Sequence, residues 1–344
     1  MTSKRVLVAL SGGVDSSAAA VLLQRSGYVC DGATLHLHSV SDETDARAAA
    51  EKLHMDFFVF DETSAFRRFV LDGFSAAYCA GLTPNPCIVC NRTLKFGAFL
   101  DKALDMGYDY IATGHYARVA QNEATGLYEL HRAADRSKDQ TYVLYQLTQH
   151  QLSHLLLPCG DFDKPTLRQL AESAGLLNAQ KKDSQDICFI PDGDHGAFIR
   201  NILGSDGKSG NFIDTSGKIL GQHDGIYKYT YGQRKGLGIA MGRPVFIQSI
   251  NPLTGDIVLG ENEDLMSGKC HVSSIRLQGL SEEDLLTRKL WGKVRYAHKG
   301  TACSVTKTSN GYDVLFEEPV RAITPGQTLC LYFDEYVAAG AIID

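Results

Sequence analysis

The chain has 344 residues, 44% of them hydrophobic and 22% charged, with a net charge of −6. That length accommodates two or three domains, and the composition is ordinary for a soluble globular protein. No apolar run approaches a membrane span, the N-terminus carries no secretory segment, and the acidic balance argues against unspecific nucleic-acid binding. A cytoplasmic protein with mostly reduced cysteines is therefore expected.

In chain order, the apolar, β-branched run Val6–Leu10 predicts a buried parallel strand. It leads into Ser11-Gly12-Gly13-Val14-Asp15-Ser16-Ser17 and an alanine-rich helix over Ser16–Gln24. A strand, a Gly-Gly turn and a helix N-terminus make an anion site. The backbone N–H groups point outward, the helix dipole is positive there, and missing side chains let phosphate oxygens approach. The loop is not a Walker loop, whose nearest match, Gly207-Lys208-Ser209, has Ile202 where the first glycine belongs. Gly232–Gly242 also fails as a dinucleotide fingerprint, because Met241 holds the last required glycine position.

Strands are predicted at Gly32–Leu37, Asp56–Phe60 and Tyr110–Thr113. Helices are predicted at Ser41–Leu53, Ala65–Tyr78 and Asn91–Met106. The βαβα rhythm predicts a doubly wound parallel α/β sheet, whose ligand lies beyond the carboxyl ends of the strands. The first loop, Leu35 and Gly114-His115 should then converge on one nucleotide. After Pro191 helical periodicity fades into short strands, including Gly210–Ile213, Asp214–Leu220, Tyr227–Tyr231, Val245–Ile250 and Ile257–Gly260. A third section, from near Gly268, alternates like a small antiparallel β-barrel. The expected domains are 1–192, an ATP domain; 193–266, a small β-rich linker domain; and 267–344, the barrel.

Nine cysteines are present. Cys30, Cys79, Cys159, Cys270, Cys303 and Cys330 stand singly among apolar or small residues and read as buried small hydrophobes. Cys87 and Cys90 lie in Pro84-Asn85-Pro86-Cys87-Ile88-Val89-Cys90-Asn91. The two prolines predict an extended loop, with Cys90 at the start of the next helix, where a thiolate is favoured. Cys188 follows Lys181-Lys182 and Asp183–Asp186. A zinc site would want a second Cys-x-x-Cys or Cys-x-x-His, and the chain has none. Two stretches, Ile226–Ser249 with four Lys/Arg and Arg288–Lys307 with six, contain no acid. Each reads equally as a solvated strand face or a phosphate-binding surface.

Ser11–Ser17 resembles the pyrophosphatase loop of N-type ATP enzymes, which implies adenylation of a substrate with pyrophosphate as leaving group. It is followed in order by Thr83–Pro86 with Cys90-Asn91, Thr113-Gly114-His115-Tyr116, Lys138-Asp139-Gln140, Asp186-Ile187-Cys188-Phe189, Tyr231–Gly238 and Thr324-Pro325-Gly326-Gln327. This series resembles the bacterial tRNA-specific 2-thiouridylase family across essentially the whole chain. The resemblance implies ATP-dependent thiolation of the wobble uridine of tRNAs for Lys, Glu and Gln, through an adenylated base and a persulfide on Cys188, with Cys90 as the second thiol. It implies ATP contacts from Ala9, Leu10, Ser11, Gly12, Gly13, Val14, Asp15, Ser16, Leu35 and Gly114, with Asp15 a candidate Mg²⁺ contact. Asn85, Pro86, Cys87 and His115 would border the target base. Lys138, Asp139, Gln140, Arg295, Tyr296 and Gln327 would contact the tRNA, recognised through its anticodon stem-loop. Sulfur would come from a relay protein or free sulfide, with no membrane partner.

Many members carry Asp where this chain has Cys87. Two consequences compete. Either Cys87 is a spectator beside a transient Cys90–Cys188 disulfide, or Cys87, Cys90 and Cys188 bind a [4Fe–4S] cluster whose fourth iron takes the transferred sulfide. Rival readings are an amide-forming ligase that adenylates a small molecule, and a tRNA-binding or sulfur-carrying module without catalysis. The intact loop argues against the second.

Overall fold

Arg5–Ala9 forms β1, and its central Val6, Leu7 and Val8 are fully buried. Residues buried on both faces of a sheet read as a continuous apolar run, and each contributes roughly 1.5–3 kcal/mol of burial. The computed structural model describes residues 3–38, 43–176, 187–204 and 207–344. They form two compact units. The first comprises 1–69, 87–185 and 335–338; the second comprises 70–86, 186–334 and 339–344.

In the first unit, β1 is followed by α1 (Val14–Arg25), β2 (Val29–His36), α2 (Thr44–Lys52), β3 (Phe57–Asp61) and α3 (Thr63–Phe66). A π turn carries α3 into α4 (Asp72–Cys79), which belongs to the second unit. Helix α5 (Pro86–Cys90), a π-helical stretch (Asn91–Ala98) and α6 (Phe99–Asp105) then run on to β4 (Tyr110–Ala112). The hairpin β5 (Ala117–Gln121) and β6 (Tyr128–Arg132), α7 (Gln149–Ser153), β7 (Leu155–Leu156) and α8 (Lys164–Ser173) complete the unit. The sheet order is β3-β2-β1-β4-β7, parallel throughout. The predicted doubly wound sheet is present, and its order reverses at β1, so the crevice opens beyond the ends of β1 and β4. Ala18, Ala19 and Ala20 are fully buried in α1; their small side chains let that helix lie close against the strands.

The second unit carries α9 (His195–Leu203), β8 (Gly210–Asp214), β9 (Ile219–His223), β10 (Phe246–Ile250) and β11 (Ile257–Gly260), the strands in the order β10-β11-β8-β9. Helix α9 was not expected. It is capped by Asp194, whose Oδ1 accepts from Ala197 N at 2.9 Å, and it closes at Gly204 in the left-handed region. Residues 226–228 form a 3₁₀ turn where a strand was expected. The chain continues through β12 (Met266–Val272), β13 (Arg276–Leu277), α10 (Glu282–Thr287), β14 (Leu290–Lys293), β15 (Thr301–Thr308), β16 (Gly311–Arg321), β17 (Thr328–Phe333) and β18 (Tyr336–Ile342). Their order, β12-β16-β15-β14-β17-β18 with β13 on β18, gives the barrel-like antiparallel section. No helix among the described residues is long and apolar enough to cross a membrane.

Candidate active site

The loop after β1 turns on two glycines. Gly12 has φ +71°, and a Cβ there would stand 2.8 Å from the Asp45 Cβ, so the turn needs glycine twice over. Gly13 is the N-cap of α1 and supplies no side-chain cap; a helix N-terminus is a place where negative charge is favoured. Ser16 Oγ accepts from Ser11 N (3.2 Å) and donates to Gly13 O (3.1 Å); Ser17 Oγ also donates to Gly13 O (3.1 Å). Ser16 and Ser17 are buried, so these hydroxyls hold the shape of the loop. Leu10 N donates to Ala33 O at 2.8 Å, tying the loop to β2, on which Leu35 sits two residues further along.

Asp15 has an unexpected partner. Lys164 Nζ, at the first turn of α8, stands 2.8 and 2.7 Å from the two Asp15 carboxylate oxygens, and its side chain is only 9% exposed. Tyr116 donates its hydroxyl to the same carboxylate at 2.6 Å, and Cys159 donates its thiol to the Asp15 carbonyl at 3.3 Å. Asp15 is thereby tied to α8 and to the segment that follows β4. Tyr116 is itself held by Gln140, whose Oε1 accepts from Tyr116 N (2.8 Å) and whose N donates to Tyr116 O (2.8 Å). Asp139 accepts from Ala133 N (3.1 Å) and Thr141 Oγ1 (2.8 Å). Gln140 thus buttresses the loop through Tyr116, while Asp139 ties Ala133 to Thr141 and Lys138 lies beside them on the Asp135 turn.

The end of β4 meets the same loop. A Cβ on Gly114 would lie 2.5 Å from Ser16 N and 2.6 Å from Asp15 C, so only glycine lets the strand end pack on the first turn of α1. His115 follows. Its Nδ1 is 2.8 Å from Thr113 Oγ1, and its ring lies 5.4 Å from Phe96. Burial, aided by the charge of Lys95, pulls its pKa down to about 3, so it is neutral at physiological pH.

Phe96 belongs to the helical run that carries Cys87 and Cys90, and here the structure corrects the expectation. Pro86 does not prolong a loop; it opens α5, where a missing N–H and a fixed φ suit the first helical position. Cys87 therefore occupies the exposed first turn, while Cys90 lies one turn in and is 7% exposed. The π-helical stretch beyond Cys90 frees backbone carbonyls that an α-helix would use. Gln151 Nε2 takes two of them, Arg92 O (3.1 Å) and Phe96 O (2.8 Å), while its Oε1 accepts from Thr148 N in the capping box of α7. Lys164, Tyr116, Thr113 and Gln151 were missed as working residues, because only the fold brings them to the loop and the cysteine helix.

In the second unit, Cys188 is exposed between Ile187 and Phe189, both packed on a cluster of Phe74, Tyr78, Ile190, Ile199 and Tyr227. The Phe189 ring lies 5.4 Å from Phe74 and 5.0 Å from Phe198, so the apolar neighbours anchor the segment that presents the thiol. Lys181, Lys182 and Asp183–Asp186 lie outside the described residues. Gln327 Nε2 donates to Thr83 O (2.8 Å) and Thr83 N donates to Pro325 O (2.9 Å), fixing the segment that leads to Asn85 and Pro86. Arg295 donates to Arg321 O at 2.7 Å, and Tyr296 is 46% exposed with Lys293 over its ring. A groove of about 640 Å³ opens over Arg234, Arg243 and the glycines between them. Of the single cysteines, Cys30, Cys159, Cys270, Cys303 and Cys330 are buried and Cys79 is partly so. Burial first, then nearby acid charge, pushes Cys30 up to about 11 and Cys270 to about 12, as inert core thiols should be. Among the described residues, no three His, Cys, Asp or Glu side chains gather as a metal-ligand set.

Three family models match the chain: a tRNA methyl transferase HUP domain over residues 4–192, a tRNA methyl transferase PRC-barrel domain over 196–261 and an aminomethyltransferase β-barrel domain over 268–343. The chain is 43% identical to a tRNA-specific 2-thiouridylase of Clostridium perfringens, covering 100% of this chain and 99% of that one. It is likewise 43% identical to the tRNA-specific 2-thiouridylase of Lachnoclostridium phytofermentans, covering 99% of each. Among solved structures, a 4-thiouridine synthetase in complex with RNA and bound ATP matches 55% of this chain and 45% of its own at 16% identity, with a TM-score of 0.39.

Proposed function

The chain belongs to the tRNA-specific 2-thiouridylase family, and from that premise we propose that it replaces O2 of the wobble uridine, position 34, in tRNAs for Lys, Glu and Gln with sulfur, at the cost of ATP. It would act in the cytoplasm. The observation that carries this reading is the strand end Thr113-Gly114-His115. Gly114 packs on the first turn of α1, and His115 packs on Phe96 of the cysteine-bearing helix. One short segment therefore packs against both the glycine loop and the helical run that continues from Cys90.

In this reading the α1 N-terminus and the loop N–H groups receive the phosphates of ATP, with Leu35 and Gly114 offering backbone to the adenosine. The uridine O2 attacks the α-phosphate, the N3 proton departs, and pyrophosphate leaves. Adenylation converts a poor leaving oxygen into AMP. The terminal sulfur of a Cys188 persulfide then bonds to C2. Cys90 thiolate attacks the Cys188 sulfur, breaking the S–S bond, and AMP departs from C2. The products are 2-thiouridine and a Cys90–Cys188 disulfide. Sulfide reloads the enzyme by attacking that disulfide at the Cys188 sulfur, which gives the Cys188 persulfide and frees the Cys90 thiolate; a relay protein reloads it after an external thiol has reduced the disulfide, by passing the outer sulfur of its own persulfide to the Cys188 thiolate and leaving as a thiol. An anticodon loop suits such an enzyme, because unpaired bases can be splayed into a pocket. Asn85, Pro86 and Cys87 at the start of α5 would border the base. Arg295, Tyr296 and the groove of Arg234 and Arg243 would meet the RNA backbone.

Lys164 and Tyr116 hold the Asp15 carboxylate, and the choice between a persulfide on Cys188 and a [4Fe–4S] cluster on Cys87, Cys90 and Cys188 falls to the test below. On the protein itself, the persulfide route uses only the thiols of Cys90 and Cys188.

The test is thiolation of a transcribed wobble-uridine tRNA with ATP and a persulfide donor, scored by mercury-affinity electrophoresis. Wild type should convert the tRNA and release pyrophosphate only when tRNA is present. C90S and C188S should each abolish product. Full activity in C188S, or pyrophosphate release with a small amine acceptor in place of tRNA, would refute the reading. Iron-dependent activity in anaerobically purified protein would replace the persulfide with a cluster.

A further inference from the structure

We infer that Thr113 is a positioning residue that holds His115 as the neutral tautomer with its proton on Nε2, so that His115 offers substrate an N–H donor and no proton acceptor. The inference rests on the proposed reaction only for what the donor faces; the tautomer itself follows from hydrogen-bond accounting.

Thr113 is 3% exposed. Its Oγ1 lies 3.3 Å from His115 N and 2.8 Å from His115 Nδ1. A backbone N–H can only donate, so it fills one lone pair of the hydroxyl. The hydroxyl hydrogen then has one acceptor in reach, the Nδ1 lone pair. Were Nδ1 protonated, Oγ1 would receive two donors while its own hydrogen stayed buried without an acceptor, the costly case for a polar group. The proton therefore sits on Nε2. That atom has no partner among the described residues and is not among the sealed polar atoms. Phe96 supports one side of the ring, and Gly114 fixes its distance from the α1 N-terminus. Burial and the nearby Lys95 oppose a second proton.

The chemical consequence is an exclusion. Uridine O2 becomes a competent nucleophile as N3 loses its proton. His115 in this tautomer cannot take that proton at Nε2, because its lone pair is on Nδ1 and committed to Thr113. Its task is to orient an oxygen of the base or of the phosphate, and the proton leaves by another acceptor.

The experiment is two-bond ¹⁵N–¹H correlation on full-length, histidine-labelled protein at neutral pH, with the His115 signal assigned by its loss in H115Q. Wild type and T113S should show a protonated Nε2 and an unprotonated Nδ1. T113V, isosteric but without the hydroxyl, should show mixed tautomers, with kcat lowered about tenfold and the ATP KM unchanged, a split T113S should rescue. A protonated Nδ1 in wild type overturns the inference, and that spectrum decides it even if T113V does not fold. T113V with wild-type tautomer and wild-type kcat overturns it as well. The spectra need no tRNA, so failure of thiolation would count against the proposed function and leave the tautomer standing.

Discussion

Gly114→Ala should damage the ATP site without touching a charged or nucleophilic group. The added methyl would stand 2.5 Å from Ser16 N and 2.6 Å from Asp15 C, whereas ordinary van der Waals contact begins at 3.4 Å. Both neighbours are backbone, so no rotamer change can relieve the clash, and the strand end must part from the first turn of α1 by roughly 1 Å. A displacement of that size in a positioning element costs about 100-fold in rate. Overpacking of a filled contact costs about 1–3 kcal/mol of stability. The assay is tRNA-dependent pyrophosphate release, with ATP affinity measured separately by calorimetry, and a denaturant titration to set the stability loss apart from the catalytic one. Gly73→Ala is the control. Gly73 lies in α4, and a methyl added there would meet nothing within 4 Å, so alanine should be neutral or stabilise by up to about 1 kcal/mol. If Gly114→Ala retained ATP affinity and rate within twofold of wild type, the packing of the strand end on the loop would not be what shapes the site.

Three further outcomes follow from the same geometry. Lys164→Met should leave the Asp15 carboxylate with Tyr116 alone; since Asp15 is 30% exposed, the loss should be about 1–3 kcal/mol, and a K164M/D15N double-mutant cycle should return a coupling energy of the same sign, whereas additive effects would dismiss the pair. Gln151→Leu should strand the Arg92 and Phe96 carbonyls, lowering stability by about 1–3 kcal/mol and speeding alkylation of the buried Cys90 relative to the exposed Cys87; unchanged alkylation would show that the π-helical stretch Asn91–Ala98 does not need its clamp. For His115, with a folded pKa near 3 and an unfolded one near 6.5, only the unfolded chain gains the proton as pH falls below about 6.5, so stability drops towards pH 3; between pH 7 and 5 wild type should lose about 2 kcal/mol more than H115Q, and equal losses would place the folded pKa near its ordinary value.

Local pattern carried much of this. The apolar run Val6–Leu10, the glycines after it and the alanines of α1 announced strand, turn and close-packed helix, because burial on both sheet faces and the needs of a tight turn admit few other residues. The βαβα rhythm carried the parallel sheet, and period-2 alternation carried the barrel-like strands. Pro86 shows the limit: the same residue breaks a helix interior and opens a helix, and only the completed run through Asp105 decides which. Helix α9 was hidden because Asp194 and Gly204, which cap it, also punctuate loops. Within the site, the residues that touch neighbours in sequence, Ser11 to Ser17, could be read directly. Lys164 lies 149 positions from Asp15, Tyr116 lies 101 from it and Gln151 lies 55 from Phe96. Each is an ordinary residue by composition, and each acquires its work only when strands far apart in sequence become neighbours and bring a donor within hydrogen-bonding distance of its acceptor.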